Sequence, residues 1–455
     1  MIRRYEPLLN RWLNKKSRKP LIIRGARQVG KSTLVRQFAL SEKRRLFEVN
    51  LERYPQLAPI IEKLDPYALL QEVEFICNQG KFNPDDSLLF FDEIQGLPQM
   101  LQCLRYFYEL TPEIPLISAG SLLEFALANH AFPMPVGRVE YFYMGPMNWE
   151  EFLRAKEEDQ LLDWLQNYQI NAPIPVTLHT RMLALLREYF LIGGMPEAVK
   201  YAIEGAAWDE IFEIQQSILQ TYRDDFSKYA HGNTLVRLQK TMDYMGYGTG
   251  QKIKYVNIDR DSQSREIKQA LDLLLKAGVI FQVIHSHADG IPLNARATPN
   301  IYKLYNLDIA LYNRICNLNY ISEQEMLEQR FINEGVLAEQ FIAQQFYFEK
   351  GPSLQPELHY WLRENSSKNA EVDFILQVQN HIIPIEVKSG KSGSLKSLLQ
   401  YNLEKDPKIN CRFDLNKPSL QKIDHQLNQQ IINSQLLSLP LYMCNQTSRL
   451  LSSLL

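Results

Sequence analysis

Few cysteines, little net charge and no long apolar run mark this 455-residue sequence, and each scarcity removes a class of protein. The five cysteines, Cys77, Cys103, Cys316, Cys411 and Cys444, are scattered with no C-x-x-C pair. That spacing argues against a zinc ribbon or a disulfide framework and leaves buried free thiols as the simple expectation. Fifty Lys+Arg against 52 Asp+Glu leave a net charge of −2, so the whole molecule is no constitutive polyanion binder, and any nucleic-acid surface must be a local patch. The N-terminus, Met1 to Glu6, lacks the apolar core of a signal peptide, and no charge-free run reaches the ~18 residues of a membrane span, so a cytoplasmic location with no membrane contact is expected. His285 and His287 alternate as exposed strand residues do, which is a poor basis for a metal site. The length suggests about three domains.

Against this plain background, Arg24 to Thr33 fits the phosphate-cradling pattern G-x-x-x-x-G-K-[ST] at Gly25, Gly30, Lys31 and Ser32. A β-prone run, Pro20 to Ile23, leads into it, and apolar residues at helical spacing follow (Leu34, Val35, Phe38, Ala39). In a strand–loop–helix context, the backbone amides of Gly25, Ala26, Arg27, Gln28, Val29, Gly30, Lys31, Ser32 and Thr33 turn towards a phosphate chain. Lys31 then reaches the β and γ phosphates of ATP, and Ser32 can ligate Mg2+.

Strand-like runs recur at Leu46 to Asn50, Ser87 to Ile94, Ile114 to Gly120 and Val139 to Met144, a spacing that predicts an α/β domain with a mostly parallel sheet over residues 1–153. Leu88 to Phe91 is apolar on both faces, as a central parallel strand should be, and ends in Asp92-Glu93, where ligands bind in such sheets. Asp92 is the expected magnesium holder, direct or through water, and Glu93 the residue that orients and polarises the attacking water. Ser118 or Ser121, ending the next strand, is placed to sense the γ-phosphate or simply to cap the following helix. Arg138 is the candidate arginine acting on a neighbour's nucleotide, with a plain surface arginine as the alternative; that role would require an oligomer, which the sequence leaves open.

These residues, Gly25 to Thr33, Phe90 to Gln95, Ser118 to Ser121 and Val136 to Arg138, resemble AAA-type ATPases, and specifically a prokaryotic family in which such a module precedes a C-terminal domain of unknown function. The resemblance extends to Leu191 to Glu197, matching a Leu-x-Gly-Gly-x-Pro-Glu break, and to Gly290 to Leu293 and Lys303 to Asp308, which look like the family's linker to its last domain.

Helical spacing over Thr180 to Ile192 and Trp208 to Thr221 predicts a helical lid over 154–233. From 234 to 319 the order is helix, an extended piece (Lys252 to Ile258), a helix (Ser264 to Ala277), a β-run (Val279 to His285) and a turn at Asp289-Gly290, which resembles a winged helix. Arg265, Lys268, Gln269 and Lys276 could face DNA, although Glu266 and Asp272 share the helix and such modules also contact proteins.

In the last segment, 320–455, Glu371 to Leu376 and Ile382 to Lys388 read as strands of a hairpin. A turn about Gln379-Asn380 sets Asp373 opposite Glu386 and Glu371 opposite Lys388, and alternation puts Glu386 and Lys388 on one face. Acids so grouped on a buried sheet need a metal or a counter-charge. The pattern resembles the PD-(D/E)XK nuclease core. That likeness implies Asp373 and Glu386 as metal ligands, Lys388 as the residue positioning water, and Glu339 as the helical glutamate. Arg363, Lys368, Lys391 and Lys396 are candidate phosphate contacts. An inactive relic, or a solvated hairpin whose charges keep an edge soluble, would share the motif. Pro384 suggests an edge or bulged strand, and Ser438 to Met443 a short closing strand. The fold expected is therefore α/β throughout: a P-loop domain, a lid, a winged helix and a nuclease-like domain. Its expected work is ATP hydrolysis coupled to a DNA-directed C-terminal module, or ATP-gated binding of DNA or protein without cleavage.

Overall fold

The computed structural model describes residues 1–121, 123–125, 137–318, 334–363, 370–390, 395–427 and 430–455. Val136, Lys368 and Lys391 lie outside the described residues. Among the described residues, no helix is long and apolar enough to cross a membrane. The chain divides into two compact units: Met1–Pro146 with Lys276–Val279 and Lys350–Pro356, and the remainder, Met147–Leu275, Ile280–Glu349 and Glu357–Leu455.

The first unit is built on five parallel strands, β1 (Leu21–Arg24), β2 (Arg45–Asn50), β3 (Ser87–Asp92), β4 (Leu116–Gly120) and β5 (Glu140–Tyr143), in the order β2-β3-β4-β1-β5. Every residue of β3 and β4 is buried, because helices cover both faces of a parallel sheet and leave no strand position for water. Ile22, Phe47, Val49, Leu89 and Phe91 build one face of the core with Leu104 and Phe107 of the helix Met100–Leu110. The order has one consequence for chemistry. With β4 between β1 and β3, Ser118 stands in register with both Ile22 and Phe91, so the loop after β1 and the acids after β3 open on either side of β4 at the same end of the sheet.

The second unit carries an eight-stranded mixed sheet, β6 (Ile280–Ser286), β7 (Ala297–Asn306), β8 (His359–Leu362), β9 (Glu371–Val378), β10 (His381–Val387), β11 (Ile409–Asp414), β12 (Ser419–Leu427) and β13 (Gln430–Pro440). Their order is β12-β13-β11-β10-β9-β8-β6-β7. Helix Glu334–Tyr347 supplies Leu337, Phe341, Ile342 and Phe346 to a core shared with Phe374, Ile385 and Phe413 of the sheet. The expected break at Gly193 to Pro196 separates helices Val176–Ile192 and Pro196–Ile203. Its glycines are dictated by contact: a Cβ on Gly193 would lie 2.2 Å from Asp308 Oδ1, and one on Gly194 2.1 Å from the Met147 carbonyl oxygen. Gly194 N–H donates to Asp308 Oδ2 at 2.7 Å.

Several expectations need correction. Lys252 to Ile258 is not extended: Lys252 makes one bridge to Lys303, after which Tyr255–Ile258 winds into a helical turn with the Tyr255 and Tyr302 hydroxyls 3.2 Å apart. The helix Ser264–Ala277 forms as expected, but the hairpin after it is no free wing, because β6 pairs with β8 and so extends the C-terminal sheet. Pro384 lies in an interior strand, between β9 and β11. Lys388 N–H donates to Phe413 O on β11, and by alternation Pro384 would direct its missing N–H to that same side, one residue short of where the β10–β11 ladder begins at Ile385. The closing strand is β13, which starts at Gln430 and ends at Pro440, while Leu441–Gln446 is a 3₁₀ turn.

Candidate functional sites

The phosphate loop takes its shape from a few close contacts. Gly25 has φ of +148°, and a Cβ there would sit 2.1 Å from Met144 O, so no other residue fits. Gly30 (φ +91°) ends the loop in a left-handed turn and starts the helix Lys31–Ser41. Lys31 is buried and its Nζ donates to the loop carbonyls of Gly25 (3.0 Å) and Ala26 (2.7 Å). Burial lowers its pKa to about 8, against the pull of Glu93 and Asp92. Ser32 Oγ donates to Asp92 Oδ2 at 2.7 Å, which joins the loop to the end of β3. Burial pushes the Asp92 carboxyl up, and the Ser32 hydrogen bond opposes this.

Glu93 follows in a left-handed conformation (φ 50°, ψ 51°), a costly backbone state for a residue with a Cβ and one common at functional sites. Its Oε2 accepts from Gln95 Nε2 at 2.5 Å and Ser121 Oγ at 3.5 Å, and Arg27 Nε of the loop donates to Ser121 Oγ at 3.3 Å. Of the two serines expected near the γ-phosphate, Ser121 thus touches both the loop and the glutamate. Ser118 is fully buried on β4, and its hydroxyl has no hydrogen-bond partner among the described residues.

Arg138 stands apart from this site. It precedes the N-terminal end of β5, at the end of the sheet opposite the loop, where its Nε donates to Glu109 Oε1 at 3.0 Å and its guanidinium lies over the Tyr108 ring. So placed it does not meet the loop of its own chain, and its pairing with Glu109 is that of a surface arginine. One loop support was not anticipated. Buried Arg3 donates to Val29 O (2.7 Å) and Gly145 O (2.9 Å), and nothing in Arg3-Arg4 distinguishes the two arginines beforehand.

The second constellation gathers in the other unit. The β9–β10 register runs from His381 opposite Val378 to Ile385 opposite Phe374, the expected pairing. One step further, Val387 N–H donates to the Asp373 carboxylate at 2.8 Å, so a side chain ends the ladder in place of a backbone carbonyl. Glu386 and Lys388 form an ion pair on one face. Glu339, from helix Glu334–Tyr347, joins them through the charges that act on Asp373 and Glu386. Asp373 is held well above the usual carboxylate range by burial and by Glu339 and Glu386, and Glu386 is raised by burial despite Lys388. The four residues expected from Glu339, Asp373, Glu386 and Lys388 are therefore brought together.

Two further members come from β7, in the stretch that looks like a linker. Lys303 Nζ contacts Glu339 Oε1 at 3.0 Å and Glu371 Oε1 at 2.5 Å, and the Tyr305 hydroxyl donates to Glu339 Oε1. Glu371 is thus paired with Lys303, where the register alone placed it opposite Lys388. Glu386 Oε2 is buried without a partner, an orphaned oxygen that suits a cation ligand. Among the described residues, however, no group of three or more His, Cys, Asp or Glu side chains is arranged to hold a metal ion. Asp373 and Glu386 alone fit a metal incompletely. Of the phosphate candidates, Arg363 is paired with Glu404 at 2.6 Å and Lys396 is exposed. Arg265, Lys268, Gln269 and Lys276 are exposed, with Asp272 beside them.

Residues 17–153 match the family model described as an AAA domain. Residues 183–322 and 334–437 match two models, each described as a domain of unknown function. None of the curated proteins compared matches the chain. Similar solved structures include the Aeropyrum pernix ORC2 protein in ADPNP–ADP complexes, with 12% identity, 69% of this chain and 91% of that chain covered, and a TM-score of 0.38. The Aeropyrum pernix ORC1 protein in complex with DNA has 12% identity, 70% and 93% coverage and a TM-score of 0.27. C. elegans PCH-2 has 11% identity, 43% and 58% coverage and a TM-score of 0.26. Likenesses this distant assign no partner to the chain. The family match and the parallel sheet with its phosphate loop make residues 17–153 an AAA-type, P-loop domain, a kind of domain that supports ATP binding and hydrolysis.

Proposed function

We propose that the protein is a magnesium-dependent ATPase whose nucleotide state controls a DNA-directed, nuclease-like C-terminal module. The observation that carries the ATPase reading is the Ser32–Asp92 hydrogen bond of 2.7 Å beside a buried Lys31, since it joins the loop to the acid-bearing strand in one site. The loop amides and Lys31 bind and orient the phosphates. Ser32 and Asp92 fit Mg2+, which neutralises charge on the phosphates when bound. Glu93 orients the attacking water and accepts its proton, with Ser121 and Gln95 fixing its carboxylate.

The DNA-directed part rests on the convergence of Glu339, Asp373, Glu386 and Lys388 on one sheet surface, where Asp373 and Glu386 would supply part of a metal's ligand set and Lys388 would position the attacking water. A second reading, an ATP-gated regulator that binds DNA or protein without cleavage, is favoured by Glu339 being engaged already by Lys303 and Tyr305. Plasmid nicking in Mg2+ separates them. Cleavage by the wild type that Asp373→Ala abolishes supports the nuclease-like reading, whereas ATP-dependent DNA binding that survives Asp373→Ala and Lys388→Ala, with no nicking, supports the regulator.

A further inference from the structure

Lys303 takes no part in the chemistry of either reading, yet it is among the most buried charged side chains of the described residues, at 1% exposure. A buried ammonium persists only where carboxylates or other acceptors surround it. Lys303 meets this condition with two carboxylates from two different elements, Glu339 on the helix Glu334–Tyr347 and Glu371 at the start of β9. The Tyr360 ring, 5.3 Å from Nζ, walls another side. On the open side of Glu339 the backbone of Gly250 approaches closely: a Cβ there would lie 3.4 Å from each carboxylate oxygen. Gly250 is fixed by its N–H to Leu304 O, 3.0 Å away on β7. The strand that delivers the lysine therefore also holds the loop that covers its partner.

We propose that Lys303 is the resident counter-ion of this carboxylate cluster, its ammonium supplying to Glu339 and Glu371 the positive charge that a divalent cation would otherwise have to supply. The cluster then folds with part of its negative charge offset and no metal. A cation that enters has Asp373 and the orphaned Glu386 Oε2 as its ligands, not Glu339. This assignment concerns how the cluster is held together and stands whether or not the cluster cleaves anything.

Thermal unfolding of the full-length protein without nucleotide, with and without millimolar Mn2+, tests it, with hydrogen exchange across Glu334–Tyr347 locating the effect. Lys303→Met takes the cation from two carboxylates and leaves Glu339 with only the Tyr305 hydroxyl, so its midpoint should fall and Mn2+ should restore part of the loss. The triple variant Lys303→Met/Glu339→Gln/Glu371→Gln, which removes both signs of charge, should recover stability without Mn2+. The reciprocal Glu339→Gln/Glu371→Gln strands the ammonium, so it should also melt lower, and Mn2+ should not rescue it. A Lys303→Met protein that melts as the wild type does, or a Glu339→Gln/Glu371→Gln protein that melts at or above the wild type, overturns the proposal. If Lys303→Met yields no folded protein, the reciprocal variant decides alone: a lower, Mn2+-insensitive midpoint supports the assignment, and an equal or higher one refutes it.

Discussion

Replacing Asp308 by alanine should open the second unit at one defined place. One carboxylate oxygen caps the helix Ile309–Ile315 by accepting from Ala310 N (2.9 Å) and Leu311 N (3.4 Å). The other accepts from Gly194 N (2.7 Å) and Gln344 Nε2 (3.1 Å). Loss of the cap costs about 1 kcal/mol. Leaving the buried Gly194 N–H without an acceptor costs about 1–3 kcal/mol, and the Gln344 amide, which keeps its bond to the Tyr189 hydroxyl, loses one of two acceptors at about 1 kcal/mol. Burial pushes the Asp308 carboxyl up, so removing it also relieves a desolvation penalty. The net loss should be about 3 kcal/mol, enough to speed amide exchange in residues 191–199 and 309–315 by roughly 100-fold through local opening. Asp308→Asn keeps one oxygen for the cap and should show a smaller effect. Exchange in those segments equal to the wild type would refute the claim that Asp308 ties the Gly193-Gly194 break to its surroundings. So would acceleration spread evenly over the chain.

Two further outcomes concern the nucleotide loop. Gly25→Ala cannot be accommodated 2.1 Å from Met144 O, so ATP binding measured by calorimetry should be lost, and retention of wild-type affinity would contradict the loop geometry. Because burial lowers Lys31 to about 8, its ammonium is present below that value and is lost as pH rises through it. ATP affinity should accordingly weaken above about pH 8; a flat profile from pH 7 to 9 would show that the phosphates do not depend on that charge.

What could be read from the sequence divides by the range of the interactions. The loop, the helix after it and β3 with its acids are local patterns, and all appear within a residue or two of their expected limits. The β9–β10 register was legible too, since a two-residue turn fixes a sum of residue numbers. Lys303, Tyr305, Arg3 and Asp308 were not, because each matters through a partner tens or hundreds of residues away, and the resemblance that singles out Lys303 to Asp308 marks that stretch only as a linker. Pro384 misled for a similar reason: whether a proline is tolerated depends on which neighbour its missing N–H faces, which the strand's own sequence does not say. The helix Lys396–Lys405 and the long β12–β13 hairpin were hidden by a Gln- and Asn-rich composition whose apolar positions become clear only against the sheet, where Leu398, Tyr401, Ile432 and Leu436 share one core.

The central claim is that the loop from Gly25 to Thr33, joined through Ser32 to Asp92 and flanked by Glu93, is a working ATP-hydrolysing site. The most direct measurement is steady-state phosphate release from ATP in Mg2+ by the full-length protein beside Lys31→Ala. We predict turnover by the wild type that the variant lacks, with the variant still folded by circular dichroism. Equal rates for the two proteins would contradict the account.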